Sequence, residues 1–280
     1  MKISVQNITK RFGAHTVLGG VNLEAGSEIF GLLGPSGAGK TTLIRILTGQ
    51  LTPDSGRAQI NGFNCSALGD KERRRFGIMM DDFGVYDRLT CYENMKVFAR
   101  IYGISNDMIY SALDKVGLSD AAKTPAMKLS KGMTNRLRLA RAFMTDPDIL
   151  FLDEPTSGLD PTSANEIHKL LIAEKNKGKT IFLTTHTMSE AEKLCDHIAL
   201  LCDGRIIEHG KPQEICRRYD DCKQLRIHLA DGTDTSMPHD KTAANRIAEL
   251  ISSGRAVTIH TTEPDLETVF MKLTGKELSA

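Results

Sequence analysis

No stretch of the 280-residue sequence stays apolar for anything near the roughly 20 positions a helix needs to cross a bilayer. The longest run, around Ile149 to Leu152, has the length of a strand, so any role at a membrane is expected to pass through a partner. The opening MKISVQNITKRFG is basic but has no apolar core, and no secretory leader is expected from it. An excess of one charge is missing too: 36 Lys and Arg stand against 35 Asp and Glu, a formal net charge of +1. Nothing global therefore points to a nucleic-acid partner or a strongly anionic surface. The six cysteines, Cys65, Cys91, Cys195, Cys202, Cys216 and Cys222, form no C-x-x-C pair and are too dilute for a disulfide framework, which reads as reduced thiols in a cytosol. Internal repeats and low-complexity tracts are lacking as well.

What is present is the composition of a globular core, 40% hydrophobic and 25% charged, at a length that suits one full domain with a small addition. Short β-type segments at Ile3 to Ile8, Thr16 to Leu18 and Val21 to Leu23, separated by glycines, read as a meander. Ser27 to Leu33 reads as a buried strand, followed by a glycine-rich turn and a helix starting near Lys40. From about Tyr92 to Met144 the pattern is helical, with Met133, Leu137, Ala140 and Met144 on one face. Strands and helices then alternate from Ile149 to Glu208, which implies a parallel sheet. After Lys211-Pro212 the pattern changes, with strands expected at Leu225 to Leu229 and Ala256 to Ile259. These readings divide the chain into residues 1–218 and a small module at 219–280, with a helical insertion at about 83–145.

Gly34-Pro35-Ser36-Gly37-Ala38-Gly39-Lys40-Thr41-Thr42 has P-loop spacing between a predicted strand and a predicted helix. In that arrangement backbone N–H groups face phosphates, the lysine reaches the β and γ phosphates, and the Thr41 hydroxyl suits Mg²⁺. Ile149 to Leu152 is an apolar strand running into Asp153 and Glu154. Beside a P-loop, Asp153 suits the metal and Glu154 suits a general base for water. Lys40 and Asp153 lie 113 positions apart, too far for a minimal strand-helix-strand unit, so the helical region is inserted between them.

With Leu129-Ser130-Lys131-Gly132-Met133 just before that strand, the sequence resembles the ABC transporter ATPases, whose signature reads LSGGQ; Ser130 and Gly132 match, whereas Lys131 and Met133 depart. Ser130 is equally suited to be an ordinary helix N-cap. Ser157-Gly158-Leu159-Asp160 resembles the family's D-loop, His186 its switch histidine, and Phe12 stands where the family has an aromatic against adenine. Asp81 stands where the family usually has a glutamine that meets Mg²⁺ and the membrane subunit; an aspartate keeps an oxygen ligand but adds charge, so slower hydrolysis than in Asp81→Gln is expected. Pro264 to Phe270 and Leu273-Thr274-Gly275 resemble the tail of ABC-2 type exporter ATPases for drugs, antibiotics or bacteriocins.

The resemblance implies an α/β P-loop NTPase of ABC type, with an antiparallel β subdomain, a helical subdomain and a small C-terminal α+β module. It further implies an ATPase using ATP and Mg²⁺, head-to-tail homodimers closing ATP against Ser130, Gly132 and Asp160 of the second copy, and a separate transmembrane permease. Its place would be the inner face of the cell membrane. Phe83, Val85, Tyr86 and Leu89 are candidates for the coupling surface. Two other readings stand beside this one: a soluble ABC ATPase acting on nucleic acid or ribosomes, and a regulatory module that binds ATP without hydrolysing it.

Overall fold

A computed structural model describes residues 2–80, 84–220, 224–238, 240–241, 243–261 and 264–275. Asp81, Phe83 and Cys222, named above, lie outside the described residues. The chain divides after Lys211 into two units.

The first unit opens with two long strands, β1 (Ile3–Phe12) and β2 (His15–Ala25), where the sequence suggested shorter pieces. Backbone pairing continues through the exposed ends of both strands, Arg11 opposite Thr16 and Phe12 opposite His15, with β-bulges absorbing the irregular register. After β3 (Ile29–Leu33) and α1 (Lys40–Leu47) come β4 (Ser55–Ile60) and the two-residue β5 (Phe63–Asn64). The order β2-β1-β4-β5 forms an antiparallel sheet of four strands.

Next follow a single-turn α2 (Asp70–Arg73) and β6 (Phe76–Met79), then the helical region: α3 (Cys91–Tyr102), α4 (Asn106–Lys115) and α5 (Lys131–Phe143). Thr90 starts α3 with a capping box, its hydroxyl accepting from Glu93 N while the Glu93 carboxylate accepts from Thr90 N; Gly103, at φ 69°, ends it. Leu137, Ala140 and Met144 are buried and Met133 is half-buried, as their spacing predicts. Helix α5 is held close to β6 at Gly77, where an added Cβ would lie 2.2 Å from the Ala142 carbonyl oxygen.

The remaining elements of this unit are β7 (Ile149–Asp153), α6 (Pro161–Asn176), β8 (Thr180–Thr185), α7 (Met188–Leu194), β9 (His197–Cys202) and β10 (Arg205–Gly210). They complete a six-stranded sheet ordered β10-β9-β3-β8-β7-β6, parallel except for β10. Strands β3, β7 and β8 are buried at every residue, which is why they read as apolar runs rather than alternations. Phe151 and Phe182 are fully buried, with ring centroids 6.0 Å apart, and each ring is worth about 3–5 kcal/mol against truncation to alanine. That core fixes the carboxyl ends of β3, β7 and β8, where open α/β sheets place their ligands.

The second unit holds α8 (Pro212–Arg218), β11 (Gln224–Leu229), β12 (Asp234–Pro238), α9 (Ala244–Ser252), β13 (Ala256–Thr261) and α10 (Leu266–Thr274). Its antiparallel sheet runs β12-β11-β13, with Ile227, Leu229 and Leu250 at the centre of its core. The sequence boundary at 218–219 and the structural division after Lys211 differ by α8, which packs with α10 inside this unit. Strand β12, DTSMP, was not foreseen; none of its residues is buried, so no apolar face announces it.

Candidate nucleotide site

The turn between β3 and α1 brings the first group of sequence candidates together. Gly39 sits at φ 106°, and a Cβ there would come within 2.7 Å of Leu18 Cδ2 and 2.9 Å of the Val17 carbonyl oxygen, so only glycine lets the turn approach β2 this closely. No side chain caps α1, and no acidic residue stands in its first turn. Its leading N–H groups and the positive end of its dipole therefore suit an anion. A cavity of about 340 Å³ opens there, lined by Ser36, Gly37, Lys40, Thr41, Thr42 and the two carboxylates Asp153 and Glu154. A neighbouring cavity of about 220 Å³ takes Pro35 and Ala38 into its wall together with His15 and Asp203.

Lys40 is 7% exposed, and its ammonium donates to the carbonyl oxygens of Gly34 at 2.6 Å and Pro35 at 3.3 Å. It also lies 3.2 Å from Glu154 Oε1, so the cation is pre-aimed into the cavity. The Thr41 hydroxyl donates to Asp153 Oδ2 at 2.7 Å, and the Thr184 hydroxyl donates to Asp153 Oδ1 at 2.5 Å. Glu154 follows the last residue of β7 with φ 50°, a left-handed conformation uncommon for a side chain of this size. Its N–H is anchored by Thr184, to the hydroxyl at 3.1 Å and to the carbonyl at 3.2 Å. The free end of its carboxylate meets His186, whose Nδ1 lies 2.9 Å from Glu154 Oε2. Lysine, glutamate and histidine thus form one chain of contacts across the carboxyl ends of β3, β7 and β8.

The donor set fits Mg²⁺. Thr41 and Asp153 supply hard oxygens at hydrogen-bonding distance from one another, both facing the same cavity, with room beside them for the waters this ion keeps.

The other candidates lie apart. Phe12 ends β1 at 52% exposure with Lys10 Nζ 5.6 Å from its ring centre, and it lines neither cavity. Ser130 and Gly132 also line neither cavity. Ser130 is exposed and is the N-cap of α5, accepting from Met133 N at 3.2 Å. Asp160 is the exposed N-cap of α6, accepting from the N–H groups of Thr162 and Ser163, both at 3.0 Å. The starts of these helices adjoin: an added Cβ on Gly132 would lie 3.1 Å from Ser163 Oγ, and the Lys131 ammonium lies against Gly158. Sequence reasoning missed His15 and Asp203, which no motif marks and which only the fold brings to a cavity wall. Thr184, two residues before His186, was given no role of its own; it lines neither cavity and acts by holding Asp153 and the Glu154 N–H.

Comparison with known proteins supplies the family. The profile described as ABC transporter matches residues 20–157. A fluoroquinolones export ATP-binding protein of Mycobacterium tuberculosis is 36% identical over 99% of this chain and 94% of its own length. The chain belongs to the ABC transporter family, among its ATP-binding proteins. A Nod factor export ATP-binding protein I of Cupriavidus metallidurans is 35% identical, over 99% of this chain and 98% of its own. Among solved structures, a dimeric bacterial ABC transporter cassette superposes with a TM-score of 0.68 at 27% identity, covering 75% of this chain and 98% of that one. A dimeric post-hydrolysis state of an ATP-binding cassette holding ADP and Pi gives 0.67 at 28% identity, with the same coverage. This ABC cassette is accordingly an ATPase, with the α/β P-loop fold of the family.

Proposed function

We propose that the chain is the ATP-hydrolysing subunit of an exporter, driving a separate membrane subunit from the inner face of the membrane. Supporting this reading, the names of the two relatives both describe export, and no helix among the described residues is long and apolar enough to cross a membrane. The observation that carries the chemistry is the Lys40–Glu154–His186 chain beside the Thr41–Asp153 pair. In this assignment Lys40 and the α1 N-terminus hold the β and γ phosphates. Thr41 and Asp153 hold Mg²⁺, which when bound offsets phosphate charge. Glu154 accepts the proton of the attacking water, and His186, at hydrogen-bonding distance from it, orients that water and the γ-phosphate.

The reading takes residues 1–218 as the nucleotide-binding domain and 219–280 as an accessory domain, and it pairs two copies. Ser130, Gly132 and Asp160, which line neither cavity of their own chain, are assigned to the nucleotide of the second copy. Coupling to the membrane subunit is assigned to a cavity of about 600 Å³ whose wall includes two of the sequence candidates, Val85 and Tyr86, together with Phe98, Tyr102 and Arg141; Leu89 does not line it. Tyr86 is 53% exposed there. The transported molecule is selected by the membrane subunit, and two differently named cargoes among relatives of similar identity agree with that division of labour.

The test compares purified wild type with Glu154→Gln. The variant is expected to keep ATP affinity, lose turnover by roughly a hundredfold or more, and accumulate as an ATP-bound dimer in light scattering. Wild-type turnover in the variant would overturn the assignment.

A further inference from the structure

A carboxylate not used in the mechanism lies close behind the Glu154–His186 pair. Glu190, near the start of α7, is 8% exposed and accepts from three separate segments. Thr156, two residues past Glu154, donates its hydroxyl proton to Oε1. His168 of α6 places Nε2 2.7 Å from that same oxygen. Thr185, the residue before His186, donates its hydroxyl to Oε2 at 2.9 Å. Burial alone would raise the pKa of this carboxyl, but the bonds from His168, Thr156 and Thr185 overcome it and hold the value below the ordinary carboxylate range.

The placement of these bonds has a consequence for the two residues in front of them. Strands β7 and β8 pair as far as Asp153 and Thr184, where their shared ladder ends. Glu154 and His186 both lie beyond that last rung, on separate segments, and yet stand 2.9 Å apart. Past the bonds of the Glu154 N–H to Thr184, Glu190 supplies a further tie between those segments, through Thr156 on one and Thr185 on the other. The Thr185 hydroxyl also accepts from Thr187 N at 3.0 Å, so a single side chain fixes the backbone on both sides of His186. His168 extends the tie to α6, the helix that starts at Asp160.

We propose that Glu190 is a positioning residue for ATP hydrolysis: by gathering Thr156, Thr185 and His168, its carboxylate sets the placement of Glu154 relative to His186. The proposal rests on the roles given to those two residues above. A glutamine at 190 would keep the size but offer one acceptor oxygen where two are used, and would turn an N–H₂ toward a hydroxyl or the imidazole. A base displaced by a fraction of an ångström loses rate without losing substrate.

The experiment measures kcat, KM and the pH profile of kcat for the full-length chain with Mg·ATP, together with the affinity for a fluorescent ATP analogue. Glu190→Gln is expected to lower kcat by about ten- to a hundredfold, displace the pH profile, and leave nucleotide affinity near wild type. Thr185→Val, which keeps the shape and removes one donor, is expected to act in the same direction but less, with Thr185→Ser restoring the rate. It decides the matter if Glu190→Gln does not fold. Wild-type kcat and pH profile in the variants, even with lowered thermal stability, would overturn the proposal and leave Glu190 a structural residue. Glu154→Gln run alongside separates the two levels: if it hydrolyses normally, the assignment of the base fails, whereas if it is inactive and Thr185→Val is normal, only the positioning role fails.

Discussion

Lys40 and Asp153 are 7% and 5% exposed; the Lys40 ammonium donates to two backbone carbonyls, and the Asp153 carboxylate accepts from two hydroxyls. Ser130, Lys131 and Asp160, by contrast, stand exposed at the starts of α5 and α6, and the side chains of Ser130 and Asp160 cap their own helices. The two sides of the proposed site therefore differ in what one chain can complete. The P-loop side is preorganised within the fold, so a single copy can bind nucleotide. On the signature side Ser130 and Asp160 are exposed while capping their own helices and line neither cavity of their own chain, which suits the proposed surface that meets a second copy.

The largest expected effect comes from removing the centre of the preorganised side. Lys40→Ala would strip the cation from the carbonyls of Gly34 and Pro35 and from Glu154, leaving acceptors crowded where phosphates should bind. Turnover is expected to fall roughly a thousandfold, with ATP affinity falling alongside it, in titration and steady-state assays. Retained affinity in this variant would erase the contrast between the two sides.

Ser130→Asp tests the opposite side without disturbing its helix. Aspartate caps as well as serine and suits the α5 dipole, so thermal stability and the nucleotide affinity of a single copy should stay at wild type. The added charge would face the second copy's phosphates, and ATP-driven dimerisation and turnover are expected to fall roughly a hundredfold. Loss of single-copy affinity would show instead that Ser130 serves its own chain's nucleotide.

The same contrast governs how much could be read from the sequence. The P-loop, the Asp153-Glu154 pair and the capping residues are contiguous patterns, so local chemistry reveals them. Strands β3, β7 and β8 were legible because their centres are apolar runs, with Asp153 and the threonines of β8 confined to the strand ends. The ties behind the site were not legible, because Thr156 and His168 reach Glu190 across 34 and 22 positions and none of the three belongs to a motif. Strand β12 escaped for the opposite reason: its inner face is only the half-buried Thr235 and Met237, a single apolar side chain, and pairing with β11 is what defines it.

Whether burial and pairing alone distinguish the P-loop side can be tested at a carboxylate buried elsewhere. Glu174 of α6 is 1% exposed and pairs with Lys115 at 2.8 Å, Lys177 at 2.8 Å and Lys179 at 2.9 Å, joining α4 of the helical region to the turn before β8. Burial pushes its pKa up, but the three ammonium groups outweigh that and carry it down from 4.5 to about 2. Because the folded value is depressed, the resulting stabilisation is complete above the ordinary value and is lost as pH falls from 4.5 towards about 2. Glu174→Gln leaves three lysines around a neutral amide, and a loss of about 3 kcal/mol in urea unfolding at neutral pH is expected. The difference from wild type should shrink as the medium is acidified through that window. Glu174 shares none of its lysines with the nucleotide site, so kcat measured well below the melting temperature should stay at wild type. A fall in kcat would mean that the tie between α4 and α6 takes part in turnover, and that preorganisation of the P-loop side extends into the helical region.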